Sequence, residues 1–392
     1  MRRAQDRLDF LICRPIIGIP LFFSLMYAVF FLSFSSAGEW MSEILGKFLF
    51  MITQALEKRL LSFGTHPQVL SILNGILQNT ASVLAYLPQT VIFFFFIKML
   101  EECGYLARAV FAADSLLARF GLSGNALLPV VLGMGCHVSA LTASRELDAN
   151  ETGILRNSIP FLICNARLPV LFFLTDAFFP KHKSLAAFVF YAFSLLLFFL
   201  CALLSRKRKN APPLIVRLPP LRFPALRIQG AKLLSESRAY VIRTATVIFL
   251  CAVFFHLGIS LTPQLRFTEY AEESLFYLLG EKISFLFAPL GFGKAPFSCA
   301  LLAGFFAREN LMFTAEALTQ RPLNTLLTLP ARISFTAFSM AYLPCYSAVR
   351  AVSKQTNGKQ SVRFLFHTFF MAYAVSFILY VIASFLVNFV EI

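Results

Sequence analysis

The chain has 392 residues, of which 58% are hydrophobic and only 14% are charged. A soluble protein would carry about a quarter charged residues. Apolar runs of about 20 residues, the length that crosses a bilayer, recur along the chain. This composition predicts an all-α polytopic membrane protein with about 8–10 transmembrane or re-entrant helices. It excludes a soluble enzyme, a disulfide-stapled secreted domain and a β-barrel, whose strands alternate in short segments. The net charge of +15 needs no nucleic-acid partner, because most basic residues lie in predicted loops.

The N-terminal part begins with Met1–Arg14, which contains four Arg and is predicted to be cytoplasmic. The apolar run that follows, Pro15–Ala37, exceeds the 7–15 residues of a signal-peptide core, so a retained first helix is expected. Ser42–Phe63 is amphipathic and is predicted to lie in the membrane interface or to form a short hairpin arm. Ala81–Leu100 is the next predicted crossing helix.

Two interrupted apolar segments follow and form a first broken region, about residues 125–179. Gly residues interrupt Asn125–Ser144, and Ile154–Phe179 contains prolines and polar residues in mid-span. Ser184–Ser205 is a plain apolar helix predicted to face lipid. It closes a first membrane half, residues 15–205.

The linker from Arg206 to Arg238 separates the two halves. It holds nine Lys or Arg, one Glu and five Pro, which places it in the cytoplasm by the positive-inside rule.

The second membrane half, residues 239–392, repeats the pattern of the first half. It contains a second broken region at about residues 288–352, in which Pro296–Leu318 is interrupted. With a cytoplasmic N-terminus, the number of membrane crossings agrees with the predicted cytoplasmic loops only if one segment of each half enters and leaves the membrane on the same side. The interrupted segments Asn125–Ser144 and Pro296–Leu318 are the candidates. Paired broken segments indicate a transport site near the bilayer midplane. The predicted segments of this half are Ala239–Leu261, Ala271–Pro289, Pro296–Leu318, Ile333–Val352 and Phe364–Val390.

The first broken segment carries Met134, Cys136 and His137, with Gly133 and Gly135 beside them. Glycine lets the backbone leave helical geometry, which membranes tolerate only where protein or a wet cavity surrounds it. Cys, Met and His are ligands of borderline-soft transition metals.

The second broken segment carries Cys164, Asn165 and Arg167 between two prolines, the later one Pro169. A charge in mid-span faces a cavity or a partner, and Asp176 is a candidate partner for Arg167.

The second broken region adds a third thiol, Cys345, directly after Pro344, and an intramembrane charged pair, Arg308-Glu309. Taken singly, each of these features also fits packing, a helix cap or a structural ion pair. Three thiols in three broken segments favour a soft-metal path when taken together. The eight Cys are otherwise scattered in apolar segments, so free thiols rather than a disulfide framework are expected.

Signatures of enzymes are absent from the 392 residues: there is no GxxxxGK[ST] phosphate loop, HExxH, CxxC or paired-carboxylate motif. Glu309, beside Arg308, is the sole intramembrane acid–base candidate, and nothing nucleophilic accompanies it. We therefore predict a transporter without catalytic residues or a nucleotide-binding site of its own.

Several ordered motifs, together with the opening helix Asp9 to Phe34, resemble the membrane domain of FeoB, a family of bacterial ferrous-iron transporters. The motifs are Leu87-Pro-Gln89, Leu100-Glu-Glu-Cys-Gly-Tyr-Leu-Ala-Arg108, Gly121-Leu-Ser-Gly124, Gly133-Met-Gly-Cys136, Cys164-Asn-Ala-Arg-Leu-Pro169, Ala288-Pro-Leu-Gly291, Gly304-Phe-Phe-Ala-Arg-Glu309 and Tyr342-Leu-Pro-Cys345.

The resemblance implies that the two broken regions, about residues 125–179 and 288–352, are a first and a second gate. It also implies import of Fe²⁺ across the bacterial inner membrane, with GTP as driver or regulator. It implies that Cys136, Cys164 and Cys345 line the metal path. Glu309 corresponds to the acidic residue of the family's second gate. The family's GTPase is missing from these residues, which implies a separate G-domain protein, alongside a small FeoA-like protein. A homo-oligomer is left open.

Two departures from the family pattern bear on selectivity. The first gate reads Cys136-His-Val-Ser139 instead of Cys-Asn-Val-Pro, which removes a helix-breaking proline and adds a nitrogen ligand at His137. This change would shift selectivity towards Zn²⁺ or Mn²⁺. Arg308 replaces the usual Lys, which changes hydrogen-bond geometry but not charge. Two other functions stay open: a non-transporting regulatory or structural membrane subunit, and a nucleoside-type permease.

Overall fold

The computed structural model describes residues 12–34, 37–62, 67–85, 87–206, 273–306, 308, 310–319 and 323–390, with scattered positions between 250 and 264. The basic linker and most of the predicted span Ala239–Leu261 lie outside them. The α-helices that it describes in full, in chain order, are α1 Pro15–Phe34, α2 Ala37–Ser62, α3 Pro67–Ala85, α4 Leu87–Glu102, α5 Tyr105–Ala118, α6 Leu127–Gly135, α7 His137–Ala143, α8 Ala149–Ser158, α9 Leu168–Phe178, α10 Lys183–Ser205, α11 Leu275–Phe287, α12 Ala295–Phe306, α13 Asn310–Leu318, α14 Leu323–Leu326, α15 Leu329–Ala341, α16 Tyr346–Ser353 and α17 Gly358–Val390.

The all-α membrane fold class is confirmed. Within the described residues, three helices are long and apolar enough to cross a membrane: Pro15–Ser33, Pro180–Ser205 and Gly358–Val387. A fourth candidate is the pair Leu275–Leu290 and Ala295–Phe305, which is bent by 101°. Such a bend is that of a broken span or a re-entrant loop. It lies between the predicted segments Ala271–Pro289 and Pro296–Leu318, and not inside Pro296–Leu318, the segment predicted to re-enter.

Two compact units divide the chain, and the first comprises Met1–Val131, Glu146–Thr152 and Arg206–Ala252. Within it α1 packs against α4 and α5, and α2 packs against α3. α3 and α5 were not predicted from the sequence. The predicted helix Ala81–Leu100 is wrong in its start, because α3 ends at Ala85 and α4 begins at Leu87.

The second unit comprises Leu132–Arg145, Gly153–Ser205 and Val253–Ile392. α15 packs along α17, α12 packs against α11 and α13, and α9 contacts both α10 and α15. Edge-to-face contacts among phenylalanines fill its centre, as between Phe297 and Phe335 with ring centroids 5.0 Å apart. This aromatic core explains part of the high Phe content of the chain.

α10 is long and apolar enough to cross a membrane, as predicted, but it is not a plain lipid-facing helix. One face of it, which includes Phe190, Leu197 and Cys201, is buried in the core of the second unit. The opposite face, which includes Leu196 and Leu204, is exposed. The helix therefore presents one face to protein and one to lipid.

Candidate metal-permeation site

The first gate breaks at Cys136, between the end of α6 at Gly135 and the start of α7 at His137. The backbone of Cys136 is extended (φ −151°, ψ 121°). Its amide still donates to the Leu132 carbonyl at 2.7 Å, and its own carbonyl accepts from the Ala140 amide at 3.1 Å. The helix axis is thus interrupted at a single residue with little loss of backbone hydrogen bonding.

The break at Cys136 forms with Ser139, and not a helix-breaking proline, three residues after it. Gly133 and Gly135 are buried around it, and Met134 is partly buried. A Cβ atom on Gly133 would lie 2.9 Å from the Leu162 side chain, so a glycine there allows close packing. The predicted interruption of this segment is confirmed.

Cys164 lies between two short 3₁₀ turns, Ile159–Phe161 and Asn165–Arg167. Its carbonyl accepts from the Arg167 amide at 2.8 Å. α9 follows at once with Pro169 in its first turn, where proline costs no hydrogen bond. The described part of Asn165 is its backbone.

Cys345 ends a third break, the four residues between Ala341 at the end of α15 and Tyr346 at the start of α16. The Cys345 carbonyl accepts from the Ala348 amide at 2.9 Å, so this residue caps α16. Pro344, which precedes it, is buried. A cysteine thus stands at a helix break in each of the three segments.

These three cysteines, which we call the thiol site, lie together in the second unit. Each is close enough to the other two to interact electrostatically. Cys164 is buried, whereas Cys136 and Cys345 are partly exposed. The structure therefore brings the predicted thiols to one place and leaves two of them accessible.

His137 sits beside the thiol site and is 3% exposed. Its Nε2 atom lies 3.0 Å from the Leu162 carbonyl oxygen. A carbonyl only accepts, so Nε2 carries the proton and Nδ1 is the nitrogen left for a ligand. This contact fixes the orientation of the ring.

Arg167 is almost fully buried and donates to backbone carbonyls exposed by the breaks. Nη1 contacts the Pro160 oxygen at 2.5 Å and the Leu162 oxygen at 3.2 Å. Nη2 donates to the Tyr342 oxygen at 3.0 Å. The guanidinium thus ties the first gate to the second.

The predicted pairing of Arg167 with Asp176 is wrong. Asp176 pairs instead with Lys183 at 3.0 Å, both of them exposed. Arg167 precedes α9 and Asp176 lies near its other end, roughly 13 Å away at 1.5 Å per residue. The carbonyls at the break are closer to the guanidinium than that carboxylate.

Arg308 contacts the same tyrosine from another direction. Its guanidinium carbon lies 4.5 Å from the centre of the Tyr342 ring, a cation–π contact, and Nη2 donates to the Leu343 carbonyl. The Tyr342 hydroxyl donates to the Leu301 carbonyl at 2.9 Å. Glu309 lies outside the described residues.

Tyr342 is the organising residue that sequence reasoning did not assign to the site. Its carbonyl, ring and hydroxyl each hold a different partner, and the ring stacks on Phe338 with centroids 5.5 Å apart. Its position in the motif Tyr342-Leu-Pro-Cys345, three residues before a site cysteine, is the sequence feature that could have indicated this role.

Two buried donors in the site, Nε of Arg167 and Nη1 of Arg308, have no hydrogen-bond partner among the residues that the structure describes. Both guanidiniums also interact electrostatically with Cys164 and Cys345. Within the described ranges, no three His, Cys, Asp or Glu side chains are arranged to hold a metal ion. In the described arrangement, therefore, two cations interact with two of the three thiols, Cys164 and Cys345.

A family model described as "Gate: Nucleoside recognition" matches residues 83–206. The chain is 28% identical over 390 residues to the Fe(2+) transporter FeoB of Staphylococcus aureus, covering 96% of this chain and 59% of the relative. It is 29% identical over 322 residues to the FeoB of Legionella pneumophila, covering 80% of this chain and 43% of the relative.

A third relative is an Fe(2+) transport protein A/Fe(2+) transporter FeoB fusion protein of Porphyromonas gingivalis. It is 25% identical over 443 residues, with 97% of this chain and 52% of the relative covered. No solved structure matches the chain. The chain spans about three-fifths of the length of the Staphylococcus aureus relative. Along 96% of its length, the chain is a homologue of FeoB and matches the membrane domain of that family.

Proposed function

We propose that this chain conducts ferrous iron across the bacterial inner membrane by way of the thiol site. The observation that carries the proposal is the convergence of Cys136, Cys164 and Cys345 from three separately broken segments. Thiolates are soft ligands that bind Fe²⁺ but do not select it over Zn²⁺. The choice of iron rests on the FeoB relatives, which are named as Fe(2+) transporters. Those names give no support to Zn²⁺ or Mn²⁺ as cargo.

Passage needs a site that binds weakly enough to release the ion. Three thiols with Met134 and His137 nearby supply soft ligands without a closed four-thiolate cage. Gly133 and Gly135 let the backbone approach the path closely. The site thus fits an ion in transit better than a resident cofactor.

Arg167 and Arg308 occupy the site as tethered cations and would repel an arriving Fe²⁺. Arg167 is held by three carbonyls, whereas Arg308 is held by one carbonyl and the Tyr342 ring. Arg308 is therefore the side chain that leaves when iron enters, and Glu309 and the backbone freed by Pro344 complete the second gate. Asn165 and Pro169 shape the first gate around Arg167.

Energy and regulation would come from outside residues 1–392, through a GTP-binding G-domain and a small FeoA-like protein. A relative in which Fe(2+) transport protein A is fused to FeoB supports the second of these partners. The chain itself acts as a transporter rather than an enzyme, with its N-terminus in the cytoplasm.

Substitution of the thiols tests the proposal. Cys136→Ser and Cys164→Ser should each lower the initial rate of radioactive Fe²⁺ uptake by about ten-fold or more, as expected when a ligand's environment is lost. Cys201→Ser is the matched control, because Cys201 is a buried thiol in α10 away from the site. Protein amounts in the membrane are measured alongside. Unchanged uptake in both site variants would refute the thiol path.

A nucleoside permease is the second candidate, and the description of the matching family model favours it. Excess uridine should leave Fe²⁺ uptake unchanged if iron is the cargo. Saturable uridine uptake by the purified protein in liposomes, without iron flux, would establish the nucleoside function instead. Absence of both fluxes, with the G-domain protein present, would favour a regulatory subunit.

A further inference from the structure

A cleft of about 580 Å³ in the second unit lies away from the thiol site. The ends of α9 and α10 form one side of it, and α15 and α17 form the other. Most of its lining is apolar, with Phe179, Leu185, Phe190 and Leu379 among the contacting side chains. A cleft of this size is in the range that encloses a small ligand.

The polar side chains that line the cleft are basic: Lys181, His182 and Arg332. Lys181 and His182 are exposed, and neither side chain has a polar partner in the part of the chain that the structure describes. Nε of Arg332 donates to the Leu327 carbonyl at 2.9 Å, which fixes this guanidinium in place.

None of the described residues that line the cleft is acidic. The nearest acid along the chain, Asp176, lines a different depression, where it pairs with Lys183. The positive charge at the cleft is therefore not neutralised by its own lining.

We propose that this cleft binds an anionic phospholipid. An acyl chain occupies the apolar interior, and the phosphate of the headgroup lies against Lys181 and Arg332, with the His182 imidazole as a further hydrogen-bond donor. Basic pockets between membrane helices are suited to anionic headgroups, because each cation near the surface adds to the attraction. With the linker after Ser205 in the cytoplasm, as the sequence predicts, the lipid belongs to the outer leaflet.

The cleft and the thiol site lie at opposite ends of the same two helices. α9 begins directly after Arg167 and ends at Phe178, which lines the cleft. α15 carries Arg332 near its start and is followed by Tyr342. Phe178 and Phe335 join the two helices, with ring centroids 6.1 Å apart. A lipid in the cleft thus contacts the elements that position both gates.

Native mass spectrometry of the purified chain in detergent tests the proposal with two lipids of equal acyl chains, dioleoylphosphatidylglycerol and dioleoylphosphatidylcholine. The wild type should retain the phosphatidylglycerol preferentially. The double variant Lys181→Gln/His182→Gln should weaken phosphatidylglycerol binding by about five-fold, which is the effect of removing one cation near a lipid phosphate. Lys183→Gln, which removes the same charge two residues away, should leave it unchanged.

A second variant tests the apolar half of the site. Ala186→Trp fills the cleft without a change in charge, so it should abolish retention of either lipid there. Equal retention of both lipids by the wild type, or undiminished phosphatidylglycerol binding in both variants, would overturn the proposal. Competition by glycerol phosphate at the same concentration would do so too, because it would assign the cleft to free phosphate esters. The readout does not depend on iron uptake.

Discussion

At the residue scale, buried guanidiniums are the unusual feature of this protein. Arg108 and Arg167 are 1% exposed and Arg308 is 4% exposed. Arg167 and Arg308 donate to carbonyls near broken helices, and Arg108 donates to the carbonyl of Gly104 at 2.7 Å. Carbonyls released by interrupted helices thus take the place that carboxylates hold in ordinary ion pairs.

The Arg167 contacts predict a stability effect. Arg167→Met removes the side-chain donor of the Pro160 and Tyr342 carbonyls, whereas the Leu162 carbonyl keeps His137 Nε2. Each buried carbonyl without a donor costs about 1–3 kcal/mol. Relief of guanidinium desolvation offsets part of this, so a net loss of about 2 kcal/mol is expected. Thermal unfolding of the detergent-solubilised protein measures it. Arg145→Met, at an exposed position, should change stability by less than about 0.5 kcal/mol. Equal stability of Arg167→Met and wild type would contradict this role.

The site residues divide into those that sequence could reveal and those that it could not. Cys136, Cys164 and Cys345 were predictable, because a thiol beside Gly or Pro in an apolar run is visible in the chain itself. The roles of Tyr342 and of the Arg167 partner were not, because they depend on carbonyls that only the folded breaks bring together. Whether these residues ligate iron stays a prediction.

At the element scale, interruptions were easier to predict than short helices. Gly and Pro marked the breaks near Cys136 and Cys345 correctly. α3 and α5 were not predicted because polar residues such as Asn74, Gln78 and Asp114 interrupt their apolar sequences. Their stability comes from tertiary packing within the first unit, which single-sequence patterns do not report.

Gly304 allows α12 to pack closely against Tyr342, in the break between α15 and α16. A Cβ atom there would lie 2.5 Å from the Tyr342 hydroxyl oxygen and 3.0 Å from the Leu311 Cβ. Gly304→Ala should therefore destabilise the protein by about 1–3 kcal/mol through overpacking.

A double-mutant cycle identifies the contact responsible. Tyr342→Phe removes the hydroxyl oxygen, so the cost of Gly304→Ala should fall by about 1 kcal/mol in that background. Gly153→Ala is the control, because nothing lies within 4 Å of its Cβ position. Strict additivity of the two substitutions in thermal unfolding would show that the hydroxyl is not the limiting contact.

At the scale of the whole molecule, charge asymmetry sets the expected orientation. The linker between the halves contains nine of the 35 basic residues. α10, which leads into it, has 23 residues and spans roughly 34 Å at 1.5 Å per residue, enough to cross the hydrocarbon core. We therefore expect the two ends of α10 to lie on opposite sides of the membrane.

This orientation predicts a labelling pattern with a membrane-impermeant maleimide. In a background whose native cysteines are replaced by alanine, Lys181→Cys should react in intact spheroplasts. Gln229→Cys, in the basic linker, should react only after permeabilisation, because about 1 kcal/mol per Lys or Arg draws such segments to the cytoplasmic leaflet. The reverse pattern would place the linker outside. It would also reverse the direction in which the two gates face, so that iron would meet the Arg308 gate from the other side.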